Sequence, residues 1–261
     1  MKFDFFDMTD TVALVTGATG YLGKQMCIGL GEAGAKVLVN SRSIDKAESL
    51  VIELRELGYN AEVAHFDVSN HEQVQSYFCL YRGKLNVIIN NAYAGKGGTI
   101  ESSTSEDFSR AYEVIVTSAN NLFQSSLPYL KRSVEEIGYA SIINISSMYA
   151  SVSPDLCVYE TPQGSNPPFY GAAKAALLQW TRYGACEFGH KGIRFNAISP
   201  GPFPNPEFNN DKFTEVLAQK VPVGRVGKAK EIIGPIIFLA SQASSFVNGV
   251  NIPVDGGWTA W

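Results

Sequence analysis

The chain has 261 residues, of which 45% are hydrophobic, and a formal net charge of -4. This length suffices for one domain with a full core, and an acidic chain without clustered Lys and Arg argues against a nucleic-acid-binding surface. No apolar run is long enough to cross a bilayer and the acidic start is unlike a signal sequence, so we expect a cytoplasmic protein with no membrane contact.

Short β-rich apolar runs alternate with longer amphipathic segments along the whole chain. The predicted strands are residues 12–16, 36–40, 61–66, 85–90, 141–146, 194–198 and 251–254. The predicted helices are residues 23–33, 44–57, 107–130, 171–188 and 230–239. This alternation predicts a single α/β domain over residues 1–261, with a doubly wound parallel β-sheet and helices on both faces. Ligands of such sheets bind beyond the carboxyl ends of the strands.

The first predicted strand runs into a glycine-rich turn, and a helix follows. Gly17, Gly20 and Gly23 allow a tight turn and a close approach of the backbone to a pyrophosphate. The amides and the positive dipole at the start of the next helix would then meet the pyrophosphate charge. Three spaced glycines are weak evidence alone, but the strand before and the helix after them predict a dinucleotide site.

The end of the second predicted strand bears on the choice of dinucleotide. An acidic residue about 20 positions beyond the glycines would bind the ribose 2′-hydroxyl of NAD, but the chain has Ser41 and Arg42 there. A guanidinium beside a small hydroxyl suits a 2′-phosphate. We therefore predict a preference for NADP(H), with NAD(H) possible if Arg42 is merely solvated. The residues expected at the adenine edge and along the ribose follow the third and fourth strands: Asp67, Val68, Asn91 and Ala92.

Tyr170 and Lys174 stand at positions i and i+4 of a predicted helix, and Ser147 follows the end of the preceding strand. An ammonium one helical turn away can lower the pKa of a phenol and let it exchange protons near neutral pH. The alternatives are a core tyrosine with a solvated tip and a strand-end serine that bonds the local backbone. Proton transfer beside a dinucleotide site predicts redox chemistry.

Six motifs in order make the chain resemble the short-chain dehydrogenase/reductase family. They are the 16–23 turn, Asn90-Asn91-Ala92, Ile145-Ser146-Ser147, Tyr170 with Lys174, the Asn-Ala-Ile-Ser-Pro-Gly run at 196–201 and the Val-Asp-Gly-Gly-Trp run at 254–258. The resemblance covers nearly the whole chain. It implies a Rossmann-like fold that binds a nicotinamide cofactor and moves a hydride between it and a carbonyl or secondary alcohol carbon.

The resemblance also implies residue roles. By position, Tyr170 is the acid/base, Lys174 lowers the Tyr170 pKa and holds the nicotinamide ribose, and Ser147 orients the substrate oxygen. The cofactor half lies at about residues 10–145 and the catalytic and substrate half at about 146–261. We expect no metal. The cofactor-binding residues implied are Gly17, Thr19, Gly20, Tyr21, Leu22, Gly23, Ser41, Arg42, Asp67, Val68, Asn91, Ala92, Tyr170, Lys174, Pro200, Gly201, Phe203 and Asn205.

The chain departs from the family in three places. Its glycine turn has the spacing of the extended members, with Tyr21 where shorter members carry glycine, although the chain otherwise resembles the shorter type. Ile115 stands where the family usually has an asparagine whose backbone holds a proton-relay water, and Asn120 and Asn121 lie off that helix face. The segment at 148–169 is lengthened and rich in hydrogen-bonding groups. It predicts a polar or sugar-derived small-molecule substrate, unless it is an oligomer contact or a solvated loop.

Three functions compete at this point. The leading one is an NADP(H)-dependent carbonyl reductase or alcohol dehydrogenase of the family. The second is a 3-oxoacyl-thioester (acyl-carrier-protein) reductase, and the third is a catalytically idle nucleotide-binding or regulatory protein, suggested by Ile115. Trp258 and Trp261 end the chain, where a monomer would gain little from them, so we expect a homo-oligomer, a tetramer or a dimer. The four isolated cysteines are expected to be reduced and mostly buried.

Overall fold

The computed structural model describes residues 4–261, which form one parallel sheet of seven strands in the order β3-β2-β1-β4-β5-β6-β7. The strands are β1 Val12–Val15, β2 Lys36–Ser41, β3 Ala61–His65, β4 Val87–Asn90, β5 Ala140–Ile145, β6 Ile193–Pro200 and β7 Asn251–Val254. The helices are α1 Tyr21–Glu32, α2 Ile44–Glu56, α3 His71–Leu80, α4 Ser105–Tyr112, α5 Ser118–Ile137, α6 Pro168–Phe188, α7 Asp211–Lys220 and α8 Ile233–Ala240. The predicted fold class, a Rossmann-like doubly wound sheet, is confirmed.

Strand β1 shows why the sheet has a core on each face. Its four residues are all buried, and successive side chains point to opposite faces. Ala13 and Val15 pack with α1, α2 and α8 on one side, whereas Val12 and Leu14 pack with α3, α5 and α6 on the other. Fully apolar strands of this kind are typical of parallel sheets covered by helices on both faces.

The strand order opens a crevice beside β1. The chain moves outward from β1 to β3 and then crosses back, so that β4 pairs with the other side of β1. The connections after β1 and β4 leave the sheet in opposite directions at this switch point, which is where ligands of open α/β sheets bind.

Two short helices, α3 and α7, are absent from the sequence prediction. Asn70 and Asn210 cap them by accepting hydrogen bonds from the Gln73 and Phe213 amides. Both helices are short, at 10 residues each, and α7 buries a single residue, Leu217. A pattern of apolar residues alone therefore identifies them poorly.

The predicted helix at 107–130 is longer than expected and not uniform. Helix α4 continues through a π-helical segment, Glu113–Thr117, directly into α5. A capping box begins it, in which the Thr104 side chain accepts from the Asp107 amide and the Asp107 carboxylate accepts from the Thr104 amide. π-helical segments inside α-helices frequently mark functional sites.

The chain terminus corrects one premise of the oligomer prediction. Trp258 is 8% exposed and packs beside Leu217 and Val221 of its own chain, whereas Trp261 is 81% exposed. Only the second tryptophan is therefore free for another subunit. The expectation of mostly buried cysteines is also wrong, because only Cys27 is buried and the other three are exposed. Among residues 4–261, no helix combines the length and the apolar character needed to cross a bilayer.

Candidate active site

Ser147 lies just beyond the carboxyl end of β5 and lines the main cleft. Its backbone is extended, and its hydroxyl oxygen accepts a hydrogen bond of 3.1 Å from the Tyr149 amide, which caps the short turn Met148–Ala150. The alternative considered from the sequence, a serine that bonds the local backbone, thus describes one of the bonds that Ser147 makes. A hydroxyl that accepts one bond can still donate its proton, so Ser147 retains a donor for a ligand in the cleft.

Helix α6 brings Tyr170 against this turn, and Gly171 makes the approach possible. A Cβ atom at Gly171 would lie 2.8 Å from the Tyr149 carbonyl oxygen, closer than packed atoms tolerate. The absence of a side chain lets the helix touch the turn that follows Ser147. As a result, Tyr170 and Ser147 are close enough for a hydrogen bond between their side chains.

Lys174 is buried one turn further along α6. Its Nζ donates a hydrogen bond of 2.5 Å to the Ile145 carbonyl oxygen and lies 5.6 Å from the centroid of the Tyr170 ring. The Ser146 hydroxyl donates to the Lys174 carbonyl oxygen at 3.1 Å. These two bonds attach α6 to the end of β5 and fix the lysine beneath the phenol.

In the protein without cofactor, burial dominates the electrostatics of this group, and the expectation that Lys174 lowers the Tyr170 pKa stays a prediction for the complex. Burial raises the pKa of Tyr170, and the hydrogen bond with Ser147 opposes that rise. Burial also lowers the pKa of Lys174 to about 7. Because desolvation disfavours both charged forms, the protein alone keeps the phenol protonated and makes the lysine easier to deprotonate than an exposed lysine.

Tyr93 is a member of the site that the sequence motifs did not identify. Its ring centroid lies 4.7 Å from that of Tyr170, and Lys174 Nζ is 6.0 Å from its centroid. Its hydroxyl is buried and has no hydrogen-bond partner among the described residues. Burial, with a smaller contribution from Tyr170, raises its pKa to about 12. The available signal was its position directly after the Asn91-Ala92 motif.

The cleft has two connected chambers. The inner chamber, of about 280 Å³, contains the Ser147 and Tyr170 side chains, and the outer chamber, of about 520 Å³, opens above the 159–167 segment. Four residues line both chambers: Tyr93, Tyr159, Asn166 and Phe213. Among the residues that the structure describes, Lys174 is the one charged side chain that lines the inner chamber.

The lengthened 148–169 segment forms a wall of this cleft and rests on α7. Asp155 pairs with Lys220 of α7, and the Tyr159 ring packs against Phe213 at 5.8 Å. Of the polar residues in this segment, Tyr159 and Asn166 reach the inner chamber, whereas Asp155 is held by the ion pair. Hydrogen-bonding groups are therefore presented to the cleft, as a polar ligand requires.

The glycine turn at the end of β1 has no room for side chains. Gly17 has a φ of +61°, and a Cβ there would lie 2.8 Å from the Ala92 Cα. A Cβ at Gly23 would lie 2.3 Å from the Gly17 carbonyl oxygen. Gly20 precedes α1 without a side-chain cap, so the first amides of this helix are open to an anion. Tyr21 begins the helix, and Leu22 reaches the inner chamber.

Asn91 stabilises this turn rather than pointing away from it. Its side-chain amide donates to the carbonyl oxygens of Thr16 and Gly17 at 3.0 and 3.1 Å. The Thr16 hydroxyl in turn accepts from the backbone amides of Asn91 and Ala92. These bonds join the ends of β1 and β4 at the switch point.

The end of β2 presents hydroxyls and a guanidinium. The Thr19 hydroxyl donates to Ser41 Oγ at 3.4 Å, and Arg42 is exposed. Asn40, which directly precedes Ser41, is also buried. Its side-chain amide donates to the carbonyl oxygens of Ala64 and Phe66 and so links β2 to β3 and the residue after it. A structural amide therefore stands near the place where an NAD-binding acid is expected.

The remaining predicted cofactor residues divide into two groups. Val68, Pro200, Gly201 and Phe203 line cavities at the sheet edge. Asp67 and Asn205 are engaged locally: Asp67 Oδ1 accepts from the Ser69 amide and hydroxyl, and Asn205 Oδ1 accepts from the Glu207 amide. Asn205 contributes nothing to the lining of either chamber.

Ile115 lies within the π-helical segment, is 3% exposed and faces a cavity of about 10 Å³ beside Lys174. Ser118 lines the same cavity and donates to the Val114 carbonyl oxygen at 2.5 Å. Asn120 is occupied elsewhere, since its Oδ1 accepts from Trp180 Nε1 at 3.4 Å. This is consistent with the expectation that Asn120 does not replace the relay asparagine.

The chain is similar to known proteins over nearly its whole length. A family model described as "Enoyl-(Acyl carrier protein) reductase" matches residues 17–259. The chain is 30% identical to a gluconate 5-dehydrogenase of Gluconobacter oxydans (strain 621H), over 98% of this chain and 97% of that protein. It is 31% identical to a 2-dehydro-3-deoxy-D-gluconate 5-dehydrogenase of Formosa agariphila, over 98% of this chain and 96% of that protein.

The fold is also similar to solved structures. The crystal structure of a gluconate 5-dehydrogenase from Burkholderia cenocepacia J2315, in complex with NADP and tartrate, has a TM-score of 0.86 and 30% sequence identity. The match covers 99% of this chain and 98% of that one. The likeness therefore extends over both the dinucleotide turn and the Ser147, Tyr170 and Lys174 region.

Proposed function

The chain belongs to the short-chain dehydrogenase/reductase family, and on that premise we propose that it is an NAD(P)(H)-dependent oxidoreductase. It moves a hydride between a nicotinamide and the carbon of a carbonyl or secondary alcohol. One observation carries the proposal: Ser147, Tyr170 and Lys174 meet on the floor of a cleft that also reaches Leu22, at the start of the helix after the glycine turn. Proton transfer and dinucleotide binding therefore share one cleft.

In this proposal Tyr170 is the general acid and base. Reduction of a carbonyl builds negative charge on its oxygen, and a phenol kept protonated by burial is ready to donate there. Ser147 donates a second hydrogen bond to the same oxygen and so orients the reacting carbon. Lys174 lies beneath the phenol, and burial lowers its pKa to about 7. Its amine can therefore release and regain a proton near neutral pH. A bound nicotinamide supplies or accepts the hydride.

The structure fits a dinucleotide in three respects. Gly17 and Gly23 leave no space for a Cβ, the N-terminus of α1 has no side-chain cap, and Arg42 is exposed beside buried Ser41. We assign the pyrophosphate to the glycine turn and a 2′-phosphate to Ser41 and Arg42, which favours NADP(H) and leaves NAD(H) as a second cofactor. The similar crystal structure with NADP supports this choice. Of the cofactor residues expected from the sequence, Asn205 and Asp67 have the weakest support, since local bonds hold both side chains.

The substrate is proposed to be polar and sugar-derived. Two similar proteins are named for dehydrogenation of gluconate and of a dehydro-deoxy-gluconate, and Tyr159 and Asn166 add hydrogen-bonding groups to both chambers. The description of the family model keeps acyl-thioester reduction as a second candidate. A polyol or sugar acid oxidised with NADP⁺, with no turnover of acetoacetyl thioester, supports the first; the reverse pattern supports the second. Cofactor binding without turnover of either class would support an idle protein.

We also propose a homo-oligomer, a tetramer or a dimer. Large apolar side chains remain exposed on the single chain, among them Trp261 at 81%, Tyr183 at 69% and Phe246 at 102%. Burying such aromatics is typical of subunit contacts. Light scattering on the purified protein distinguishes one, two and four copies.

The cytoplasmic location, the absence of a metal and the division into a cofactor half and a catalytic half near residue 145 stay predictions.

A further inference from the structure

The loop after β4 has the composition of an anion-binding loop. Residues 94–98 read Ala-Gly-Lys-Gly-Gly, and among the described residues the backbone N–H groups of 94–97 have no hydrogen-bond acceptor. Gly97 fits tightly, since a Cβ there would lie 2.7 Å from the Gln163 carbonyl oxygen. Backbone N–H groups that lack an acceptor are available to donate to an anion.

A separate cavity lies beside this loop. This side cavity, of about 310 Å³, is lined by the loop and by α4, and it shares Tyr93, Gly95 and Lys96 with the outer chamber. Arg110 of α4 also lines it, and within residues 4–261 its guanidinium makes no hydrogen bond or ion pair. Two cationic side chains therefore line one cavity beside an entrance to the cleft.

The acidic residue of the side cavity is already engaged. Asp107 accepts two hydrogen bonds from Thr104, through its amide and its hydroxyl, and pairs with Lys96 at 3.1 Å. Both interactions lower the Asp107 pKa. The side cavity is thus lined by two cationic side chains and one acidic side chain, whereas the outer chamber is lined by Lys96 and Glu160. An anion is therefore best placed on the Lys96 and Arg110 side.

The inner chamber cannot serve this purpose. Lys174 is the cation in its described lining, and its Nζ is directed at the Ile145 carbonyl oxygen. An anionic group on a substrate therefore finds its unengaged cation outside the inner chamber, at Arg110. Tyr93 lines the inner chamber, the outer chamber and the side cavity. Its hydroxyl, which has no hydrogen-bond partner among the described residues, lies so close to Gly95 that a Cβ there would be 2.0 Å from the hydroxyl oxygen. It connects the reacting end of the cleft to the loop.

We propose that Lys96, Arg110 and the 94–97 amides form a subsite for an anionic group of the substrate, a phosphate or a carboxylate. This rests on the proposed function, because it assigns the far end of the substrate to the same cleft. The subsite selects charged over neutral polyhydroxylated molecules. Since it binds a group remote from the reacting carbon, its loss raises KM and leaves kcat largely intact.

The first test is independent of turnover. Inorganic phosphate and tartrate are titrated onto the protein saturated with NADPH, so that the cofactor covers its own phosphate-binding positions, at constant ionic strength with chloride as reference. Thermal unfolding gives the apparent Kd. The double variant K96Q/R110Q is expected to bind both anions about tenfold more weakly. The matched control, K131Q/R132Q, removes two exposed cations of α5 and keeps the affinity of the wild type.

The second test distinguishes the two sources of charge. With NADP⁺ as cofactor, kcat/KM is measured for D-gluconate, D-glucitol 6-phosphate and neutral D-glucitol. The value for each charged compound is then divided by the value for D-glucitol. One or both ratios are expected to exceed 1 and to fall about tenfold in K96Q/R110Q, through KM. Equal anion binding by wild type and double variant overturns the subsite. If no polyol is oxidised while the anion binding still depends on both cations, the proposed substrate class fails and the subsite stands.

Discussion

Adding one methyl group at Gly171 isolates the contact that brings Tyr170 towards Ser147. The Cβ of Gly171→Ala would start 2.8 Å from the Tyr149 carbonyl oxygen, and tolerated contacts of this kind begin at 3.0–3.4 Å. The helix or the turn must therefore move by about 0.2–0.6 Å. If a displacement of 1 Å in a reacting group costs about 100-fold in rate, this shift costs about 3- to 15-fold.

The assay is kcat with NADP⁺ and the best polyol or sugar acid, together with the Kd of NADPH and the melting temperature. We expect kcat to fall by that factor while the cofactor Kd stays within about twofold, because the glycine turn joins β1 to α1 and includes neither α6 nor the Met148–Ala150 turn. The control is Gly234→Ala in α8, where a Cβ meets nothing within 4 Å and gains up to about 1 kcal/mol of helix propensity. Unchanged kcat in the Gly171 variant would refute the claim that this close approach sets the catalytic geometry.

Three further predictions concern the cofactor preference and the stability of the site. Arg42→Asp is expected to move the ratio of kcat/KM for NADP⁺ over NAD⁺ towards NAD⁺ by about tenfold or more, whereas Arg132→Asp leaves it alone; an unmoved ratio removes Arg42 from 2′-phosphate binding. Burial lowers the pKa of Lys174 to about 7, whereas an ordinary lysine has a pKa of about 10.4. Between these two pH values the unfolded chain binds more protons than the folded one. The free energy of unfolding of the cofactor-free protein therefore rises by up to about 1.4 kcal/mol per pH unit. Urea unfolding of the wild type and of Lys174→Met should show the wild type becoming more stable relative to the variant as the pH rises across this range, and a constant difference between the two would contradict the lowered pKa of Lys174. Thr16→Val removes the acceptor of two amides after β4 and is expected to cost about 2–4 kcal/mol, most of which Thr16→Ser recovers; an equal loss in both variants would assign the effect to packing.

The strands were the most predictable part of the fold. Those of the sheet interior, such as β1, are buried on both faces, so their apolar runs stand out in the sequence whatever surrounds them. Helices α3 and α7 were missed because each packs through few apolar residues, and the clearest signals for them, the caps Asn70 and Asn210, are single polar residues. The π-helical segment depends on tertiary packing and has no sequence signature of its own.

The candidate site was predictable where spacing alone fixes proximity. Tyr170 and Lys174 share a helix face at any tertiary arrangement, and Ser147 follows a strand end. The role of Gly171 depends on how closely α6 approaches the Tyr149 turn, which no local pattern reveals. The same holds for Tyr93, whose ring packs against that of Tyr170 although the two are far apart in sequence, and for Trp258, which packs within its own chain.

Single-turnover kinetics of Tyr170→Phe test the central claim most directly. The variant is mixed with NADPH and the carbonyl form of the best substrate, and the oxidation of the nicotinamide is followed by its absorbance. Phenylalanine keeps the ring that packs on Tyr93 and removes the proton donor, so we expect hydride transfer to fall by about 100-fold or more, with the NADPH Kd within about threefold of the wild type. Hydride transfer at the wild-type rate would contradict Tyr170 as the acid and, with it, the proposed mechanism.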